Sequence, residues 1–419
     1  MNDSINITII SAVYPPEPQI SARMGFDLAN YLTDLKYSVT VLCPQPSRPS
    51  KAIYGDYSNI RFPVINIENG VNVVRLPSFA SPKSRLFSRM FESFSFGREV
   101  TKYLSDQEIK PDALYVNCWP IFAQTIIAKV SKKYHLPFVL QIMDIYPEAL
   151  ISRLPLFVRL LINWPLKKLD TWAAKTAASV IVISQNMRRI YVEDRQIPAQ
   201  RVSIIFTWQN EDFFDKVISR SESCRQYKIS QQPFTFLYLG NIGPVSGVDV
   251  LIRAFAEASI SNAQLLIVGD GVAKFDCVDL VSELNLSSVH FISDLDAANV
   301  PVLQSMAHVC MLPMKRGNGM SSIPSKLPSY LFSAKPVIAT VDLDSDTAHF
   351  IRQAECGWVG EPEDLIWLAA KMKEVSEFPR EKLECLGKNG KRYGLMHFSK
   401  KSGVVRLANK ILEAAGVDV

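Results

Sequence analysis

Two glycine turns and one lysine carry the most distinctive chemistry in this sequence. Residues 238–255 read YLGNIGPVSGVDVLIRAF: a short apolar strand over 234–239 runs into Gly240-Asn241-Ile242-Gly243, and an amphipathic helix follows. Glycines let a backbone approach an anion, and the free N–H groups of a helix's first turn carry partial positive charge. The loop itself holds no lysine or arginine. Its polar side chains are Asn241 and Ser246, and the nearest charges, Asp249 and Arg253, fall inside the helix. A phosphate bound there needs a cation from elsewhere, and LPMKRGNGMSSIPSKL over 312–327 offers one. Gly317, Gly319, Ser321 and Ser322 read as a flexible, hydroxyl-rich loop after a strand, with Lys315 and Arg316 at its start. Ser325 and Lys326 sit beside a helix start whose first turn suits Pro324. The glycine loop would then supply backbone and Asn241, and Lys326 the charge. Alternatively, Lys326 is a solvated helix lysine and the glycines only make a turn.

Other candidate groups follow other expected strands. In QIMDIYPEAL (141–150), Asp144 and Glu148 lie just past a buried strand, where a carboxylate is placed to accept a proton. Glu148, directly after Pro147, reads equally well as a first-turn helix acid favoured by the dipole. YPPEPQISAR (14–23) is a rigid proline-rich loop opening a helix; Tyr14, Glu17, Gln19 and Arg23 could shape the mouth of a site, or the loop is an ordinary turn capped by Ser21. Trp119 ends another strand and reads either as a stacking platform or as core. Gly269-Asp270-Gly271 makes a tight turn after a further strand. The five histidines show no metal-ligand spacing, and the Asp-x-Asp in VDLDSD reads as a loop, so no metal site is expected.

Alternating elements must position these residues. Strand-like runs over 6–12, 38–43, 71–76, 113–117, 138–143, 180–183 and 202–205 are separated mostly by helical periodicity, as in the helix over 21–35. A polar, proline-ending stretch over 208–232 reads as a linker. A second series follows, with strands over 234–239, 264–268, 289–292, 309–312 and 336–340. Alternating β and α predicts doubly wound parallel sheets, and two such domains usually enclose a cleft with ligand at the strands' carboxyl ends. At 419 residues, 48% apolar and 21% charged, the chain is long enough for two full cores. Its net charge of +5 comes from scattered basic pairs, not a tract, which argues against nucleic acid. Seven dispersed cysteines without a C-x-x-C pair suit a reducing compartment. No signal-like start and no run of ~18 apolar residues is seen, so a cytoplasmic location is expected. Two segments resemble interfacial helices. SPKSRLFSRMFESFSFGREVTKYL puts Phe87, Met90, Phe91 and Phe94 near one face, ringed by arginines and a lysine. LPLFVRLLINWPLKKLDTW is apolar with a narrow stripe of Arg159, Asn163, Lys167 and Asp170, and reads equally as a core helix.

The ordered set of segments resembles glycosyltransferase family 4, the retaining GT-B type. YLGNIGPVSGVDVLIRAF, LLIVGDGVAKFDCVDLVSELNLSSVHFISDL, VPVLQSMAHVCMLPM, IPSKLPSYLFSAKPVIAT and CGWVGEPEDLIWLAAKM are similar to successive units of its second domain. IISAVYPPEPQISARMGFDLANYLTDLKYSVTVLCP and QIMDIYPEAL are similar to its acceptor-side segments. The Gly-Asn-x-Gly loop and Pro-Ser-Lys resemble a branch that extends bacterial surface polysaccharides, including fucosyl and N-acetylfucosaminyl transferases. The resemblance implies an α/β GT-B fold: two doubly wound Rossmann-like domains facing a cleft, 1–207 on the acceptor side and 233–395 on the nucleotide-sugar side. The tail over 396–419 would return to the first domain. It further implies a metal-independent transferase with no cofactor, a nucleotide-sugar donor (a UDP-sugar ahead of a GDP-sugar) and a lipid-pyrophosphate-linked saccharide acceptor in O-antigen, capsule or exopolysaccharide synthesis. Peripheral docking on the inner membrane face would suit that acceptor. Asp144, Glu148 and Lys326 would be catalytic. Gly240, Asn241, Gly243, Ser246, Gly269, Asp270, Lys315, Arg316, Gly319, Ser321, Ser322, Ser325 and Ser329 would bind donor, and Tyr14, Glu17, Gln19, Arg23 and Trp119 would face the acceptor. Several family positions differ. Asn241 and Ser246 stand where many members carry arginine and lysine, Ser321 and Ser329 replace paired glutamates, and Met143 replaces a histidine. A nucleotide-sugar epimerase of the same fold, or a partner subunit that binds nucleotide-sugar without chemistry, are the other readings.

Overall fold

The structure is a computed structural model that describes residues 5–48, 54, 61–81, 86–148, 156–216, 218–293, 296–317 and 323–418. The chain forms two compact units, one of Met1–Thr207 with Gly403–Val419, the other of Trp208–Ser402.

Unit 1 is built on an eight-stranded sheet. In chain order its strands are β1 (Asn6–Ser11), β2 (Ser38–Pro44), β3 (Val64–Glu68), β4 (Val71–Leu76), β5 (Ala113–Asn117), β6 (Phe138–Ile142), β7 (Ser179–Val182) and β8 (Val202–Ile204). They lie in the order β3-β4-β2-β1-β5-β6-β7-β8, parallel throughout except for the antiparallel pair β3–β4. Every residue of β5 and β6 is buried, because helices cover both faces of the sheet. That burial explains why these strands read as continuous apolar runs. β3 escapes the pattern: it is a mostly exposed edge strand in which Val64, Ile65 and Ile67 stand beside the polar Asn66 and Glu68. The helices Leu86–Asp106, Ile121–Tyr134 and Leu156–Thr176 pack side by side, and Met90, Ile121, Phe122, Ile162, Leu166 and Leu169 form a small apolar cluster among them.

Unit 2 holds six parallel strands, β9 (Phe234–Leu239), β10 (Ala263–Val268), β11 (Val289–Ile292), β12 (Val309–Pro313), β13 (Val337–Thr340) and β14 (Gly357–Gly360), in the order β11-β10-β9-β12-β13-β14. Both sheets are doubly wound, as the alternation predicts. Each has a switch point where successive connections leave in opposite directions: β1/β5 in unit 1 and β9/β12 in unit 2. In open α/β sheets ligands bind outside the carboxyl ends at such points. The polar stretch before β9 is partly ordered, with a short turn at Glu211–Phe214 and the helix Arg220–Gln226.

One packing contact in unit 2 sets the place of Lys326. The helix Lys326–Phe332 lies on the helix Arg380–Phe398, which presents Gly387, Gly390 and Gly394 along its buried face. A Cβ on Gly394 would stand 2.8 Å from Leu331 Cβ, and one on Gly390 3.0 Å from Leu331 Cδ2. Only hydrogen at these positions lets the two backbones approach so closely. Gly394→Ala is therefore expected to cost about 1–3 kcal/mol, the usual penalty of overpacking. A thermal midpoint equal to wild type would remove this contact from the account.

Candidate functional site

At the unit 2 switch point the loops after β9 and β10 interlock. Gly240 N–H donates to Val268 O at 2.9 Å, and Ile242 N–H to Asp270 O at 2.8 Å. Gly269, at φ +146°, lies so close that a Cβ there would stand 2.0 Å from Gly240 O. Asn241 is exposed, and its side chain lies beside Gly243 and Gly271. Ser246 is buried and its hydroxyl donates to Gly243 O at 2.7 Å, so it shapes the turn from within. Asp270 is exposed, accepts from Gly271 N–H at 2.8 Å and lies 3.8 Å from Lys274 Nζ.

Lys326 meets this loop from the other side of the switch point. A Cβ on Gly240 would stand 3.0 Å from Lys326 Cε and 3.2 Å from its Nζ. The ammonium donates to Tyr238 Oη at 2.7 Å and sits 4.0 Å from the Tyr238 ring centroid. Tyr238 Oη in turn donates to Asn241 O at 2.6 Å. Tyr330 braces the same corner: Leu239 N–H donates to its hydroxyl at 2.9 Å, and the hydroxyl lies 3.3 Å from Met311 O, linking β9 to β12. Lys326 is half-buried, and among the described residues no carboxylate pairs with it. Desolvation pushes its pKa down from 10.5 to about 7.

The other cations near this corner are already engaged. Lys315 Nζ lies 2.8 Å from Asp249 Oδ2 and 3.4 Å from Glu363 Oε1. Arg316 is exposed, 3.4 Å from Glu361 Oε2. Gly317 N–H donates to the Asp342 carboxylate at 3.0 Å. Ser325 is exposed beside Lys326, and its carbonyl accepts from Gln209 Nε2. Ser329 is buried, donating to Lys326 O at 2.8 Å and accepting from Gln304 Nε2 at 2.9 Å. Gly319, Ser321 and Ser322 lie outside the described residues.

In unit 1, Asp144 and Glu148 share the turn that follows β6. Asp144 is exposed, with its pKa raised by partial desolvation against the lowering charge of Arg89. Both Glu148 oxygens accept from Arg195 Nη2, at 2.7 and 2.8 Å. Glu17 is buried and bonds main chain: Oε1 accepts from Ser47 N–H and Arg48 N–H, each at 3.0 Å, and Oε2 from Tyr14 N–H at 3.4 Å. Tyr14 is buried beside it, and Arg23 is exposed. The helix Ile20–Asp34 starts after Gln19, so Ser21 lies inside it and does not cap it. Trp119 is half-buried, with the Arg48 guanidinium 5.7 Å from its ring centroid.

The stripe read on the helix Leu156–Thr176 requires correction. Asp170 is 1% exposed, whereas Leu161 is 74% and Trp164 65% exposed. The charge faces the interior because Arg195 meets it there, at 3.0 Å. On the neighbouring helix Leu86–Asp106, Phe91 is 57% exposed. Sequence reading missed Tyr238, Tyr330 and Arg195. The tyrosines look like ordinary core residues, and Arg195 belongs to no motif.

Two family-level sequence models match the chain: Glycosyl transferases group 1 over residues 219–393 and Glycosyltransferase Family 4 over 21–210. The chain belongs to glycosyltransferase family 4. It is 21% identical over 305 residues to the probable glycosyltransferase WbjE of Pseudomonas aeruginosa, covering 71% of this chain and 74% of that one. To the putative colanic acid biosynthesis glycosyl transferase WcaI of Escherichia coli it is 20% identical, covering 90% and 93%. The fold matches that of Anabaena HepE, solved in complex with UDP, with a TM-score of 0.67 at 15% identity over 98% of this chain and all of that one. The protein is thus a glycosyltransferase of this family, related to enzymes of polysaccharide synthesis.

The depressed pKa of Lys326 has a consequence for stability. The fold binds this proton less tightly than the unfolded chain does, so this group makes stability rise with pH from about 7 up to its ordinary 10.5. Lys326→Met lacks that dependence. The midpoint difference, variant minus wild type, should fall as pH rises from about 6.5 to 9.5; a difference independent of pH would show that Lys326 is fully hydrated.

Proposed function

We propose that this chain is a retaining, metal-independent transferase that moves a hexose from a UDP-sugar to a lipid-pyrophosphate-linked saccharide in bacterial surface polysaccharide synthesis. The half-buried Lys326 ammonium against the Gly240 backbone, with no carboxylate partner among the described residues, carries the reading. An isolated buried cation is costly, and an arriving diphosphate relieves that cost while the cation offsets the anion's charge. Unit 2 then holds donor through the Gly240–Gly243 and Gly269–Gly271 turns, with Asn241 beside them and Lys326 on the leaving diphosphate. As the bond from the anomeric carbon to the diphosphate oxygen breaks, its electron pair passes to the diphosphate. The acceptor oxygen bonds the same face of that carbon, and its proton goes to a carboxylate of the 144–148 turn. HepE, whose fold this chain shares, is described with UDP, which supports a uridine donor. The name of WcaI supports a surface polysaccharide as the product.

A lipid-linked acceptor also suits the exposed apolar residues of unit 1. Phe91 is exposed on the helix that also carries Arg89 and Arg98, and Leu161 and Trp164 on the helix that carries Lys168, whose Nζ lies 3.6 Å from the Trp164 ring centroid. That combination suits peripheral contact with an anionic membrane face. Among the described residues no helix is long and apolar enough to cross a membrane. Leu161→Glu with Trp164→Glu should weaken flotation with phosphatidylglycerol-containing vesicles. Equal flotation of variant and wild type would sink the docking surface.

Calorimetry with UDP and GDP, without metal, tests the donor site. UDP should bind more tightly than GDP, and Lys326→Ala should weaken it about 10–100-fold, the worth of a charge-assisted hydrogen bond. At pH 8 wild-type binding should take up a proton, seen as a dependence on buffer ionisation heat that the variant lacks. Binding of neither diphosphate, or equal binding by the variant, would overturn the site. Consumption of donor without any acceptor would point instead to an epimerase.

A further inference from the structure

Glu148 and Asp144 differ in a way that their shared turn hides. Glu148 is pinned: both its oxygens accept from Arg195 Nη2, which also donates to Tyr146 O at 3.1 Å. The Asp144 carboxylate has no such bond among the described residues and stands exposed. Arg195 is itself 1% exposed. Its Nε donates to Asp170 Oδ2 at 3.0 Å, and Asp170 also accepts from Tyr191 Oη at 2.9 Å and Gln124 Nε2 at 3.2 Å.

Four separate elements therefore meet in one network built on the Arg195–Asp170 pair. Asp170 comes from the helix Leu156–Thr176, Gln124 from the helix Ile121–Tyr134, and Tyr146 and Glu148 from the turn after β6. Tyr191 lies in the π turn Ile190–Asp194, and Arg195 follows it and closes it, its N–H donating to Ile190 O at 3.0 Å. Such wide turns are rare and are frequent at functional sites. Burying a full ion group is costly, and an apolar filler would often serve stability as well. What this arrangement supplies and an apolar filler could not is a rigid donor for Glu148 and the Tyr146 carbonyl.

We propose that Arg195 is a positioning residue that locks Glu148 as the anchor of the 143–148 turn, leaving Asp144 as the carboxylate that accepts the acceptor's proton. The assignment of Asp144 rests on the transfer reading above; the clamp does not. Asp170 is the counter-charge that lets the guanidinium be buried, and Tyr191 and Gln124 saturate that counter-charge.

The test uses Arg195→Lys, which keeps the charge but loses the fork, with Arg195→Ala, Glu148→Gln and Asp144→Asn alongside. Hydrogen exchange at the amides of 143–148 should quicken at least about tenfold in Arg195→Lys, while β1 and β7 keep wild-type protection. Unchanged exchange in the turn, or equal loss across the sheet, would overturn the clamp. Turnover is then read as UDP release from UDP-glucose, UDP-galactose and their N-acetyl forms, offered with polyprenyl-pyrophosphate-linked N-acetylglucosamine. Arg195→Lys and Glu148→Gln should lower kcat with KM and UDP affinity unchanged, and their double variant should be no worse than either. Added guanidinium should restore part of the Arg195→Ala rate, which a merely structural role would not allow. Asp144→Asn should lose more than either. Full activity in Asp144→Asn, or in Arg195→Lys, would overturn the division of roles. A wild type that turns over none of these probes, with the exchange effect present, removes the transfer reading and supports the clamp alone.

Discussion

A lysine ammonium withdrawn from water is costly to hold, and Lys326 has no carboxylate partner among the described residues. Lys326 is kept against Gly240 by the Tyr238 hydroxyl at 2.7 Å and by a helix seated on the glycines of a neighbour. Tyr330 ties the end of β9 to Met311 of β12, and Gly269 lets the second loop close over the first. Each of these contacts shortens the distance between a cation and free backbone. The desolvation that lowers the Lys326 pKa to about 7 is the cost of that arrangement. Active sites commonly keep such strained charge and offset it through the packing around it.

The same corner accounts for how this chain differs from the family pattern it resembles. Asn241 and Ser246 occupy positions where arginine and lysine are frequent, and Ser246 is turned inward onto Gly243 O. Lys315 is held by Asp249 and Glu363. Among the described residues, Lys326 is the cation that meets Gly240. Ser329, at one of the paired glutamate positions, is bonded to Gln304 and to the Lys326 carbonyl and so supports the lysine's helix from behind.

Unit 1 handles buried charge in the opposite way. Arg195 and Asp170 are both enclosed but bonded to each other, with Tyr191 and Gln124 also on Asp170 and Glu148 also on Arg195. Burial raises the Asp170 pKa to about 6 although Arg195 opposes it, whereas the Glu148 and Asp170 carboxylates raise that of Arg195 against the effect of burial. The interior position of Asp170 turns Leu161 and Trp164 outward, and this leaves apolar side chains on the surface of the helix layer.

Local pattern alone determined the alternating elements, the two doubly wound sheets and the glycine loop after β9, because apolar periodicity and turn residues act over a few neighbours. For Lys326 it left two readings open, a cation for a phosphate at that loop or a solvated helix lysine. The edge strand β3 stayed hidden because its exposed residues have no buried face to mark it. Tyr238, Tyr330, Arg195 and the inward turn of Asp170 were decided only by tertiary structure. Their partners lie between 3 and 91 residues away in the chain, and even the short separations depend on how the loops fold. Composition could show that Asp170 and Arg195 are charged. Only the packing of four elements around the Arg195–Asp170 pair decided that these charges face each other and not water.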